Sequence, residues 1–443
     1  MGRPRAEDAT IFALASGAGR AGVAVVRVSG PAARFCVQTL TRKAPPAPRR
    51  AVVRRLRTGS GEIFDRALVL WFPAPDSLTG EDVAEFQVHG GRAVLAALSE
   101  ALTAIPGVRT AGPGEFTRRG VEHGRIDLTQ AEAIADLVDA ETEAQRRQAL
   151  RQFDGALSEL TDGWRADLAK ALAWAEAAID FSDEELPGDV VADARLAAGV
   201  VRDAIAAQLD DFRRGELVRE GLFVAVVGPP NAGKSSLVNA LAGRDVAIVA
   251  ETAGTTRDVI EVRLNLGGYA VVLADTAGLR AAADDVEAEG VRRALKRAQS
   301  GDLVVLLKDG TRPDIPLVGL DKWDGKAVIT VWNKADLAWP KPQHGLALSL
   351  KTGEGLDAVV AAITAAARDK LDSGGEAPLI TRARHREALT QALAALDRAL
   401  PQDVPELFAE DLRLAVRAIG CIAGRVDVED LLDVIFCDFC IGK

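Results

Sequence analysis

Phe223-Val-Ala-Val-Val-Gly228-Pro-Pro-Asn231-Ala232-Gly233-Lys234-Ser235-Ser236 runs from an apolar strand through a glycine loop into the start of a helix. The spacing Gly228-x4-Gly233-Lys234-Ser235 is that of a phosphate-binding loop. Glycines let backbone N–H groups curl around a phosphate, and Lys234 brings a point charge to the outer phosphates. The Ser235 hydroxyl is suited to Mg²⁺, while the helix N-terminus adds a favourable dipole. Ala232 and Ser236 complete the cradle. The strand, loop and helix together predict a doubly wound α/β domain.

Downstream residues select the base. Asp275-Thr-Ala-Gly278 follows the strand-like Ala270–Leu273, which puts Asp275 near Mg²⁺ and the Gly278 N–H near the γ-phosphate. Asn333-Lys334-Ala-Asp336 follows Val328–Val331. A carboxylate at Asp336 can accept both N1–H and the 2-amino group of guanine, a donor pair that adenine lacks, with Asn333 and Lys334 bracing the base. Ser349-Leu-Lys351 closes the base pocket, with Leu350 where G proteins carry Ala. Gly254-Thr255-Thr256 supplies Thr256 as a second Mg²⁺ ligand. Four motifs in this order predict a GTPase.

Hydrolysis needs a group that orients water. Many small G proteins use a Gln just after Asp-x-x-Gly, but Leu279 stands there and cannot do so. Asn231 offers an amide oxygen to a monovalent cation bridging the phosphates, and a potassium ion there would neutralise developing charge as an arginine finger does. Backbone carbonyls of Ala250, Thr252 and Thr255 can serve the same ion. For the water itself, Asp284, Asp285, Glu287 and Glu289 are all candidates, and chemistry alone does not choose among them.

Outward from the loop, the chain changes character twice. Leu128–Phe181 has no Pro and is rich in Ala, Leu, Glu and Arg, with apolar residues at helical spacing. Similar helical stretches return at Arg384–Leu400 and Ala409–Phe436, so an α/β domain is inserted into a helical one. The first 120 residues read as mixed α/β, with strands at Ile11–Ala15, Val23–Val28 and Leu68–Phe72 and a helix at Val94–Ile105. The expected division is 1–122, 123–218, 219–375 and 376–443, close to the roughly three domains that the length suggests.

A net charge of −10 argues against a protein that grips nucleic acid over its whole surface, yet residues 1–57 hold twelve Lys and Arg against two acids. Arg49, Arg50, Arg54, Arg55 and Arg57 are where an anionic partner would meet this basic end. No charge-free run of eighteen apolar residues predicts a membrane span, and no apolar segment with a cleavage site follows the basic N-terminus. Four cysteines do not make a disulfide framework, so a cytoplasmic location is expected. Phe439-Cys440-Ile-Gly-Lys443 fails as a prenylation box, and Cys437 and Cys440 form a lone Cys-x-x-Cys without the second pair that zinc requires.

Asn231-Ala-Gly-Lys-Ser-Ser236 set in a helical frame that ends in Cys440-Ile-Gly-Lys443 resembles the MnmE (TrmE) family of tRNA-modification GTPases. Gly19-Arg-Ala-Gly-Val-Ala-Val-Val-Arg27-Val-Ser-Gly-Pro31, Thr79-Gly-Glu-Asp-Val-Ala-Glu85, Pro113-Gly-Glu-Phe116 and Gln130-Ala-Glu-Ala-Ile-Ala-Asp136 are similar to that family as well. The resemblance implies an N-terminal α/β domain that binds a tetrahydrofolate derivative (5-formyl or methylene form) and makes a homodimer. It implies G domains that meet when potassium and GTP are bound. It implies too that, with the FAD-dependent partner MnmG in a heterotetramer, the chain adds an aminomethyl or carboxymethylaminomethyl group to C5 of the wobble uridine, U34, of certain tRNAs. Folate contacts fall on Arg27, Glu85, Arg125 and Lys443, with Arg125 in place of a Lys; a planar fork there replaces a point charge. The water-organising acid falls on Glu287, which joins Lys234 as catalytic, and Cys440 is the implied modification residue. The alternative is a regulatory RNA- or ribosome-binding GTPase that uses GTP as a timer, which needs neither of these chain ends.

Overall fold

The computed structural model describes residues 9–180, 190–244, 247–248, 261–275, 301–313, 326–337, 344–372 and 377–426, with Leu432, Ile435, Phe436, Phe439 and Gly442. They form two compact units, Met1–Ala135 with Gly420–Lys443, and Asp136–Ile419.

The first unit is built on six strands: β1 (Thr10–Leu14), β2 (Ala21–Ser29), β3 (Val52–Arg57), β4 (Ile63–Phe72), β5 (Val83–Gly90) and β6 (Val108–Thr110). Their order is β3-β4-β5-β2-β1-β6, antiparallel throughout except for the β1–β6 pair. Alternation sorts the side chains. Val26, Val28, Leu56, Val69, Trp71 and Phe86 turn to one face and bury against helices Ala33–Thr41 and Arg92–Thr103. Ile11 and Ala13 turn the other way and meet Phe116 and Ala111 in a smaller core. The three strands and the helix expected from the sequence lie within one to five residues of their observed bounds.

Within the second unit, the helices Glu143–Phe153, Ala156–Asp180, Val190–Asp210, Phe212–Glu220, Ala383–Ala399 and Pro405–Gly420 make the helical part. The break before Glu143 has a local cause. Thr142 caps the new helix, accepting from the Gln145 N–H while the Gln145 side chain accepts from the Thr142 N–H. Ala409–Phe436, expected as one helical stretch, is interrupted: its helix stops at Gly420, and residues 421–426 turn, with Arg425 N–H bonded to the Gly420 carbonyl.

The inserted α/β part carries seven strands: β7 (Leu222–Val227), β8 (Ala247–Ile248), β9 (Glu261–Leu266), β10 (Tyr269–Asp275), β11 (Leu303–Asp309), β12 (Ala327–Asn333) and β13 (Leu346–Ala347). The order is β13-β12-β11-β7-β10-β9-β8, parallel from β13 to β10, with β9 and β8 antiparallel. Central strands of a parallel sheet are buried on both faces and therefore read as unbroken apolar runs. Leu-Phe-Val-Ala-Val-Val in β7 and Leu-Val-Val-Leu-Leu in β11 do so. Helices Lys234–Ala242 and Leu356–Leu371 pack their Leu237, Leu241, Val359 and Ile363 against this sheet. In such sheets ligands bind beyond the carboxyl ends of the strands. The Gly228–Ser235 loop follows β7, Asp275 ends β10, Asn333 ends β12 and Ser349 follows β13, whereas Gly254–Thr256 lies outside the described residues.

Candidate functional site

β7 delivers the chain to the phosphate loop, and helix Lys234–Ala242 begins at its far side. Gly233 caps that helix at φ 102°, a left-handed conformation that L side chains rarely adopt. A Cβ on Gly233 would lie 2.5 Å from Asn333 Nδ2 and 3.1 Å from Leu350 Cδ1. The residue is thus fixed both by backbone conformation and by lack of room. Leu350, where G proteins carry Ala, places its side chain close to the loop glycine. Lys234 Nζ donates to the Gly228 and Pro229 carbonyls at 2.9 and 3.0 Å, which holds the ammonium over the loop. Asn231 is exposed at φ 61°, a conformation that Asn tolerates better than most residues. Ser235 and Ser236 are exposed in the first turn of the helix.

The base end is assembled by β12 and β13. Asn333 is buried; its Nδ2 donates to the Ala232 carbonyl at 2.8 Å and its Oδ1 accepts the Leu350 N–H at 3.2 Å. One side chain so ties the phosphate loop to the segment that closes the base pocket. Ser349, fully buried, donates through Oγ to Asp336 Oδ1 at 2.7 Å and orients that carboxylate. Asn333, Lys334, Asp336 and Ser349 are therefore brought together with the loop.

Asp309 is a residue that motif reading missed. It ends β11, and its Oδ2 accepts Lys334 Nζ at 2.5 Å while its Oδ1 accepts the Thr311 N–H and hydroxyl at 2.9 and 2.6 Å. Burial by itself would raise its pKa. The bonds from Lys334 and Thr311 outweigh that and hold the carboxyl below the usual carboxylate range. Lys334 sits at φ 70°, so its main chain is in an unfavourable region while its ammonium is anchored. The sequence signal was an acid closing a run of five apolar residues at a strand end, beside the Asn333 strand. Asp309→Asn replaces an anchoring charge with a neutral amide. Affinity for GDP should then fall about five- to tenfold, the worth of one charge-assisted bond over a neutral one. Isothermal titration checks this, and in a Lys334→Ala background the same change should have no effect.

Asp275 ends β10 directly beside Val226 of β7. Ala250, Thr252, Thr255, Thr256, Gly278 and Glu287 lie outside the described residues, as do Cys440 and Lys443. Hydroxyl, carboxylate and amide oxygens are hard donors, and the set around Ser235, Asp275 and Asn231 fits Mg²⁺ and a monovalent cation on that ground.

A second constellation lies in the first unit. Arg27 on β2 stands directly opposite Glu85 on β5, and its Nε and Nη2 both donate to Glu85 Oε1 at 3.0 Å. The guanidinium also sits 5.7 Å above the Phe116 ring. Arg27 Nη1 and Glu85 Oε2 have no hydrogen-bond partner among the described residues, so this half-buried pair keeps one donor and one acceptor uncommitted. Arg125, with its side chain 38% exposed, lies 3.7 Å from Asp76 and packs its stem at Gly80. Cys36 belongs to the sheet core, where burial pushes its thiol up to about 12.

Residues 10–125 match the family described as GTP-binding protein TrmE N-terminus, and residues 128–440 match the MnmE helical domain. Proteins named tRNA modification GTPase MnmE resemble the chain along its length. That of Parvibaculum lavamentivorans is 54% identical over 98% of this chain and 100% of its own. The corresponding figures for Rhodospirillum rubrum are 54%, 98% and 99%, and for Granulibacter bethesdensis 49%, 98% and 99%. Among solved structures, a variant of Aquifex aeolicus Era bound to GDP·AlF4⁻ covers 41% of this chain and 69% of that one at 25% identity, with a TM-score of 0.27. The regulatory-timer alternative drew on the nucleotide motifs alone, whereas the likeness extends through the N-terminal sheet and the helical part. A guanine-nucleotide site set in that frame, with relatives of equal length named for tRNA modification, makes this chain a member of the MnmE family of tRNA-modification GTPases.

Proposed function

We propose that this GTP-hydrolysing tRNA-modification enzyme works with an FAD-dependent partner of the MnmG type. Together they add an aminomethyl or carboxymethylaminomethyl group to C5 of the wobble uridine, U34, with a folate derivative as one-carbon source. The observation that carries the folate assignment is the Arg27–Glu85 pair. The pair keeps one guanidinium donor and one carboxylate acceptor uncommitted among the described residues, and a pterin ring offers both acceptors and donors to such groups. Arg125, across a loop from Asp76, and Lys443 complete the proposed folate contacts. In the G domain Lys234 places its charge on the outer phosphates, Ser235 and Thr256 hold Mg²⁺ with Asp275 behind it, and Gly278 faces the γ-phosphate. Asn231 and the carbonyls of Ala250, Thr252 and Thr255 hold potassium, which would supply positive charge to the phosphates. Glu287 holds the attacking water in place of the amide that Leu279 lacks. Cys440 acts at the modification site.

The same reading divides the chain at 1–122, 123–218, 219–375 and 376–443 and makes it a cytoplasmic homodimer. No described helix is long and apolar enough to cross a membrane. Mass analysis of wobble uridines from cells lacking this protein tests the proposal, because the C5 side chain should be missing there. A normal uridine profile overturns it.

Base choice has its own test. Asp336→Asn turns one acceptor for the guanine donors into a donor facing a donor. An unsatisfied buried group costs about 1–3 kcal/mol, so guanine nucleotide affinity should fall about five- to a hundredfold. Parent-like GTP binding by this variant would show that the base is read elsewhere.

A further inference from the structure

We propose that the outer end of the first unit's sheet, the open face of β3 and β4 around Arg55 and Arg66 with Arg57 further along β3, docks the phosphate backbone of the tRNA. The proposal rests on the tRNA-modifying role and adds to it a binding surface. Residues 42–66 contain eight Lys and Arg and only Glu62 and Asp65 as acids, in a chain of net charge −10.

The sheet register sharpens this. Arg55 on β3 is paired directly with Arg66 on β4, and both are exposed. Their neighbours Leu56 and Ala67 are buried on the opposite face, so both guanidinium groups leave from the same open face. Like charges directly opposite one another across strands are destabilising. A carboxylate between them would relieve the repulsion, and among the described residues neither guanidinium has one. Neither Arg50, Arg55, Arg57 nor Arg66 forms an ion pair among the described residues; Arg57 donates only to the Gly61 carbonyl. Asp65 is engaged by the His89 N–H and Nδ1 and by the Arg66 main-chain N–H, so it is not available to the guanidinium groups. Elsewhere in the same unit Arg27, Arg109, Arg118 and Arg119 all have carboxylate partners.

Charged side chains also guard edge strands against pairing with other chains. That accounts for Arg55, because β3 is the edge of the sheet, but not for Arg66 on the second strand. An external polyanion accounts for both. Of the arginines that the sequence marked, Arg54 turns to the core side with its Nε buried, and Arg49 is exposed but gives a guanidinium N–H to the Asp76 carbonyl. Arg66, eleven residues further along, joins through strand pairing alone.

The test is binding of a tRNA with uridine at the wobble position to the full-length chain, titrated over a range of salt. Arg55→Gln with Arg66→Gln should reduce the slope of log affinity against log salt by about one per arginine. Affinity at 0.1 M salt should fall about five- to tenfold for each arginine. Arg55→Lys with Arg66→Lys should restore most of the loss, since phosphate contact is carried by charge. GTP hydrolysis and particle mass should stay as in the parent, and the thermal midpoint should not fall, because the Gln pair removes a like-charge contact. Unchanged affinity and slope overturn the surface, and so does a changed particle mass, which would make this face a contact between copies. If tRNA fails to bind the parent chain even at low salt, the docking surface is overturned, while the wobble-uridine profile of cells lacking the protein separately decides the proposed modification.

Discussion

Exchanging potassium for sodium at matched ionic strength is expected to slow GTP hydrolysis by about 10²–10³-fold, the cost of removing one preorganised stabiliser of transition-state charge. Leu279 follows the Asp275-Thr-Ala-Gly278 motif and has no group that can hold water or charge. In the proposed reading Asn231 supplies what is missing, through a bound potassium ion. It stands exposed on the phosphate loop at φ 61°, its amide uncommitted to any partner among the described residues. Asn231→Gly isolates the amide, because glycine adopts a positive φ without strain and only the side chain is lost. This variant should bind GDP as the parent does and hydrolyse GTP at the same slow rate in both salts. Asn231→Ala is a poorer probe, since an alanine held in the left-handed region costs about 1–2 kcal/mol on its own. Equal parental rates in sodium and potassium would overturn the cation assignment and leave Glu287 to carry the chemistry without it.

The parts of this molecule legible in the sequence are those where local chemistry and fold agree. The Phe223–Ser236 stretch needs an apolar strand, a tight glycine loop and a helix start, and each is a short-range requirement. The same holds for Asn333, Asp336 and Ser349, which follow strands and meet because parallel strands end on one side of the sheet. Asp309 was hidden because its meaning lies in a partner twenty-five residues away on the next strand. Strand β3 was hidden for another reason. Three arginines in Val52–Arg57 mask the alternation, and an edge strand buries only Leu56 fully. Arg66 could not be placed beside Arg55 without the register of β3 against β4. The interruption at Gly420 was missed because Ala409–Phe436 keeps helical composition across a turn made by main-chain bonds.

Gly442→Ala should depress wobble-uridine modification about 10²-fold while leaving GTP hydrolysis intact. Gly442 has φ 104°, and a Cβ there would lie 2.0 Å from the Leu14 carbonyl oxygen and 2.9 Å from its carbon. Both partners are main chain, so neither can move aside cheaply. The alanine must instead lift the end of the chain away from β1. Cys440 is two residues upstream and Lys443 is next in sequence, so any chemistry that they perform on the one-carbon unit would lose its geometry. Misplacement by about 1 Å costs about 10²-fold in reactions that depend on positioning. Folate affinity should fall with it, whereas GTP affinity holds, because the residues assigned to the nucleotide, Gly228 to Ser349, all belong to the other unit. Cys440→Ser, assayed beside it with the FAD partner and folate present, separates thiol chemistry from placement. Loss in both variants assigns the thiol to the reaction. Full modification by Cys440→Ser with loss in Gly442→Ala leaves the tail as a positioning element and its cysteine as packing. Parent-like modification by both would mean that the end of the chain takes no part, and loss of GTP hydrolysis by Gly442→Ala would show instead that the substitution damages the fold.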